Sequence, residues 1–116
     1  MFLSPLKLLS YETQKVSADE ISCSATIELE GKTIQLSGQG NGPINAFVHA
    51  LEEAGLKDFK LTDYRQHSIG GGSATESAAF IQLQTKAGRV AYGCGINASI
   101  EKSGLLALVS AYNRVH

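Results

Sequence analysis

Residues Leu36–Gly55 read LSGQGNGPINAFVHALEEAG, and their reading decides the fold. The stretch starts as a strand, passes Gly38, Gly40 and Gly42, and continues as a helix. Pro43 suits the first helical position, where its missing N–H has no intrahelical partner anyway, with Asn41 or Gly42 as the cap. Ile44, Phe47, Val48 and Leu51 then recur at i, i+3, i+4 and i+7, the stripe by which a helix covers a sheet, and Gly55 stops it. Glycines between a strand and a helix make either a plain elbow or a place where main-chain amides meet an anion.

Outward from there, ISCSATIELE alternates strictly. Ile21, Cys23, Ala25, Ile27 and Leu29 point one way, while Ser22, Ser24, Thr26, Glu28 and Glu30 point the other, as in a half-buried strand. Gly31 marks a tight turn, and Ile34 and Leu36 return on an antiparallel partner. LKLLSYET, ahead of them, is a third strand. The second half repeats this order. FKLTDYRQHSI reads as a strand, SAAFIQLQT and RVAYGCGI as a hairpin turning at Ala87-Gly88, and SIEKSGLLALVSAYNR as a helix with Leu105, Leu108, Val109 and Tyr112 on one stripe. Gly93-x-Gly95 sits where Gly38-x-Gly40 sits, at the end of a third strand before a helix. The expected class is α+β: two βββα units, about residues 5–55 and 58–115, whose antiparallel sheets pack with helices within one chain or across a dimer.

A chain of 116 residues, 43% hydrophobic and 18% charged, fits one domain that needs no disulfide or metal to hold its core. A net charge of −1 argues against a nucleic-acid or anionic-membrane surface. No apolar run approaches the roughly 20 residues of a membrane span. MFLSPLKLL lacks the basic start and small-residue cleavage pattern of a signal peptide. Cys23 and Cys94 are isolated and read as buried, reduced thiols of a cytoplasmic protein.

GQGNGP is not a nucleotide loop. The dinucleotide fingerprint needs G-x-G-x-x-G inside a parallel βαβ unit, and a Walker loop needs Gly-Lys-Ser/Thr. Here the third glycine comes one place early, a proline follows it, and the strand before is half of an antiparallel hairpin. A carboxylate at the helix N-terminus remains open, as does a plain elbow. SIGGGSATES is a linker or a flap over a small ligand. His49, His67 and His116 have no metal-binding spacing and no nucleophile grouping, and neighbouring Asp63 and Tyr64 point to opposite faces of a strand. No catalytic constellation emerges.

Three pieces together carry a resemblance over about Leu9 to Arg114: GNGP opening a helix, DYRQH followed by a glycine-rich loop, and GCGI with SAYNR closing the chain. They resemble the C-terminal regulatory domain of 2-isopropylmalate synthase, shared with citramalate synthases. The resemblance implies a homodimer that binds a pathway end product at the paired interface: leucine in the first enzyme, isoleucine in the second. Binding slows a separate TIM-barrel domain that condenses acetyl-CoA with a 2-keto acid using a divalent metal. That barrel is not in this sequence, so the chain reads as a regulatory domain cut from a longer enzyme, Met1 being an added start, and no cofactor is expected in it.

The same resemblance implies a ligand pocket. Gly40, Gly42, Ile44 and Asn45 match the elbow against the ligand. Leu61, Tyr64 and Ser68 match the strand that walls the side-chain slot. Thr75 and Ser77 match the start of the next strand, and Ile96 and Ala98 the second elbow. Leu61, Tyr64, Ile44 and Ile96 are expected to supply apolar surface, and the helix N-termini after Gly42 and Asn97 the donors. This chain departs from the family pattern at Ala74, often acidic or Asn there, and at Asn45, Ser68 and Thr75, where alanine is common. Those polar groups leave open which branched-chain amino acid binds, and also a structural dimerisation module that has lost its ligand. A free-standing enzyme has no residues to support it.

Overall fold

The computed structural model describes residues 5–70 and 75–116. The chain divides at Lys57/Asp58 into two compact units. The first holds β1 (Lys7–Ser17), β2 (Glu20–Leu29), β3 (Lys32–Gly40) and α1 (Pro43–Glu53); the second holds β4 (Lys60–Ile69), β5 (Glu76–Gln84), β6 (Val90–Asn97) and α2 (Ile100–Val115). Each unit is an antiparallel three-stranded sheet in sequence order, β1-β2-β3 and β4-β5-β6, followed by its helix. This is the α+β, twice-βββα arrangement that the periodicity predicts.

The turns follow from local chemistry. Between β2 and β3, Glu30 and Gly31 both take positive φ, 54° and 78°, which suits a two-residue connection between twisted strands. Between β5 and β6, Gly88 takes φ 90°, its N–H bonds Thr85 O at 3.0 Å, and the Thr85 hydroxyl accepts from Arg89 N at 3.1 Å. At the end of α1, Gly55 (φ 92°) lets its own N–H reach Glu52 O and lets Leu56 N reach Leu51 O, two bonds that close the last turn.

The paired glycines of β3 and β6 are packing devices. A Cβ on Gly38 would lie 2.4 Å from Ala50 N and 2.7 Å from Ala46 O; a Cβ on Gly93 would lie 2.1 Å from Ala111 N and 2.3 Å from Ala107 O. In both units, then, helix backbone rests directly on strand backbone, over a glycine and between two alanines one turn apart. All four alanines are fully buried.

This contact corrects the expected stripe of α1. The buried face is Ala46, Phe47, Ala50 and Leu51, while Ile44 and Val48 are only half-buried, because the closest approach to the sheet, over Gly38, falls at Ala46 and Ala50. In α2 the expected Leu105, Leu108, Val109 and Tyr112 are all buried. The same alternation corrects one thiol. Cys23 faces α1 and is buried, whereas Cys94, between two glycines that face α2, points away from the helix and is exposed; neither forms a disulfide.

Candidate functional site

The first elbow is built from Gly40 to Asn45. The Asn45 side chain folds back so that its Oδ1 accepts from Asn41 N at 3.1 Å. Gly40 makes room for that amide, since a Cβ there would lie 2.2 Å from the same oxygen. The space beyond Gly42 is open, with nothing within 4 Å of an added Cβ. No side chain caps the first turn of α1, and no acidic residue stands in it. The free N–H groups and the positive end of the helix dipole are therefore unopposed. Half-buried Ile44 provides apolar surface beside them.

The second elbow has the same path and different electrostatics. Asn97 Oδ1 accepts from Ser99 N at 2.9 Å, and Ser99 Oγ caps the helix by accepting from Lys102 N at 3.2 Å. Glu101 adds a negative charge in the first turn. An anion is thus better received at the first elbow than at the second, a distinction that glycine spacing does not carry. Ala98 is exposed at this turn.

Strand register sorts the remaining predicted residues. Leu61 opposes Leu83, Tyr64 opposes Ile81, and Ser68 opposes Ser77. Opposed residues share a face, so Leu61, Tyr64, Ser68 and Ser77 lie on the side of the sheet that carries α2. The helix lies mainly over β5 and β6 and meets the outer strand β4 at Gln66, which leaves Tyr64 and Ser68 exposed on this side. Tyr64 is 41% exposed there. Ile96 pairs with Ala78 and faces the opposite way, 50% exposed. Thr75 is exposed just ahead of β5. Ala74 and most of the glycine-rich loop lie outside the described residues.

A polar cluster that the sequence reading missed centres on Gln66. Its Nε2 lies 2.8 Å from Ser77 Oγ, 3.0 Å from Ile100 O and 3.0 Å from Ser103 Oγ. Tyr64 donates its hydroxyl to the Gln66 carbonyl oxygen. The signal was available: Tyr64, Gln66 and Ser68 alternate along one strand and must share a face. Burial raises the Tyr64 pKa above the ordinary 10.0. On the other face, Asp63 accepts from Arg65 at 3.2 Å and from the Tyr92 hydroxyl at 3.1 Å. That bond, followed by desolvation, raises Tyr92.

A shallow concavity of about 600 Å³ on the first sheet is lined largely by Ser10, Glu12, Ser24, Thr26, Gln35 and Ser37. Hydroxyls and amides dominate it, so it offers little apolar slot, and none of the predicted residues lines it. Among the described residues no group of three or more His, Cys, Asp or Glu side chains could hold a metal ion. No helix there is long and apolar enough to cross a membrane.

A family profile described as the LeuA allosteric (dimerisation) domain matches residues 2–116. The chain belongs to this family. Over 97% of its length it is 39% identical to the 2-isopropylmalate synthase of Mycobacterium ulcerans (strain Agy99) and 37% identical to that of Mycobacterium leprae (strain TN). Over 92% it is 35% identical to that of Thermobifida fusca (strain YX). It spans about 18–20% of these relatives, so the LeuA-type domain is one part of much longer chains.

Proposed function

We propose that this domain binds leucine at the interface of a homodimer and serves feedback inhibition of a 2-isopropylmalate synthase in the cytoplasm. The observation that carries the proposal is the match along nearly the whole chain to the regulatory family and to enzymes of that name. The site geometry supports it. The ligand carboxylate goes to the uncapped first turn of α1, beyond Gly42. Apolar surface suited to a branched side chain stands on β4 of the second unit, at Leu61 and Tyr64.

Catalysis belongs to the remainder of the longer enzyme, where acetyl-CoA and a divalent metal act; the role of this domain is to bias that chemistry. Leucine bound to one arrangement of the dimer in preference to another shifts the equilibrium by its difference in affinity, about 1–3 kcal/mol for a typical allosteric coupling. A second reading follows from exposed Ser68 and Thr75, polar groups at the expected pocket: a dimerisation module without a ligand. An isoleucine-responsive domain of citramalate-synthase type is the third.

A thermal-shift panel with leucine, isoleucine and valine at millimolar concentration, with sedimentation of the free domain, separates these readings. The leucine reading expects a dimer whose melting temperature rises with the logarithm of leucine concentration. A larger response to isoleucine selects the third reading. A dimer indifferent to all three selects the second.

A further inference from the structure

We propose that Gln66 is a positioning residue of the ligand site: it holds the Tyr64 ring as a fixed wall of the side-chain slot and ties that wall to the first turn of α2. The inference rests on the branched-chain-ligand reading above and deepens it, because it names what sets the selectivity of the slot and where occupancy is felt.

The orientation of the amide follows from hydrogen-bond chemistry. Ile100 O is a peptide carbonyl and can only accept, so the end of Gln66 that lies 3.0 Å from it must be the nitrogen. The amide oxygen then faces β4, where the Tyr64 hydroxyl donates to it. Ser103 donates its own proton to Ile100 O at 2.8 Å, which leaves its lone pairs to accept from Gln66. Two N–H hydrogens thus serve three acceptors, and any other rotamer of Gln66 gives up bonds. Ser103 is fully buried and Ser77 nearly so, which makes those bonds costly to abandon.

The wall needs such a hold. Tyr64 stands 41% exposed on an outer strand that α2 meets at Gln66, and its hydroxyl bond to that amide restricts the rotamers of the ring. The device belongs to one unit only. In the second unit Tyr64 shares a row with Ile81 and Gly93, and Gln66 shares one with Ala79 and Gly95. The matching rows of the first unit hold Thr13 with Cys23 and Gly38, and Lys15 with Ile21 and Gly40. Neither an aromatic ring nor an amide stands at those stations of β1.

Leucine, isoleucine and valine differ by one methyl group or its placement. A slot separates such side chains only if its walls do not yield. A side chain that presses on Tyr64 also pulls, through Gln66, on the Ile100 carbonyl at the start of α2.

The test uses the whole chain and three variants. Gln66→Met removes all the bonds at similar length. Gln66→Glu keeps an acceptor for Tyr64 and loses the donors to Ile100 O. Tyr64→Phe keeps the ring and loses the hydroxyl, and it serves if Gln66→Met folds poorly. Calorimetric titration gives the ratio of valine to leucine dissociation constants, and hydrogen exchange follows the amides of Ser103 and Gly104. Gln66→Met and Tyr64→Phe are expected to cut the selectivity ratio about tenfold, the scale at which one methylene is distinguished. Gln66→Glu is expected to keep the ratio and lose the leucine-dependent protection of α2. Equal weakening of all three ligands, or an unchanged ratio in both Gln66→Met and Tyr64→Phe, overturns the inference alone. A wild-type domain that binds none of the three overturns the underlying reading, and the inference with it.

Discussion

The two βββα units share a topology but not an outer surface. On the side of the first sheet away from α1 stand Ser22, Ser24, Thr26 and Glu28, flanked by Gln35 and Ser37. The corresponding side of the second sheet carries Phe80, Tyr92 and Ile96 at 36%, 48% and 50% exposure, with Cys94 among them. Directly beneath the helices the two are alike: Gly38 under Ala46 and Ala50, Gly93 under Ala107 and Ala111. Internal repeats keep what the backbone contact demands and drift where side chains meet solvent or a partner.

The largest expected effect falls on the shared side. Gly38→Ala and Gly93→Ala each push a methyl group into helix backbone, which cannot rotate aside as a side chain can. Each is expected to cost about 3 kcal/mol, the upper part of the range for overpacking, read as a shift in the urea midpoint. A loss below about 1 kcal/mol in either would break the equivalence of the two units.

A smaller effect distinguishes the elbows. Ser99→Ala removes the cap of α2 and is expected to cost about 1 kcal/mol. Gly42→Ser adds a cap to α1 and is expected to gain a few tenths of a kcal/mol, while filling the open space that the proposed function gives to a carboxylate. The variant that stabilises the fold should therefore weaken leucine binding, and a Gly42→Ser domain with unchanged leucine affinity would move the anion elsewhere.

The smallest effect is alkaline. Tyr64 and Tyr92 both have folded pKa values above 10.0. The folded state holds those protons more tightly, so their contribution is complete below pH 10 and is lost as pH rises through the folded values. Stability should fall above pH 10, less steeply in Tyr64→Phe and Tyr92→Phe. An unaltered alkaline arm in both variants would remove the tyrosines from that account.

Much of the fold was legible because alternation and helical periodicity are local. Ile21 to Leu29 announce their buried face, and Gly31 announces its turn. The true face of α1 was not legible, because Ala46 and Ala50 are buried by a glycine on a different element. Cys94 was misplaced for the same reason: its flanking glycines own the buried side. The candidate site was legible in part. Tyr64 and Ser68 stand in the motif, yet Gln66 between them gains its meaning from Ser103 and Ile100, more than thirty residues on, through bonds that no spacing rule foretells.

Backbone seated on backbone leaves no slack. A helix that rests on alanine and glycine cannot slide or roll on its sheet without a collision of main-chain atoms, so each helix and the strand beneath it form a stiff plate. Beside that plate, β4 is zipped to β5 along its length, and Gln66 adds the side-chain bonds that join it to the helix as well.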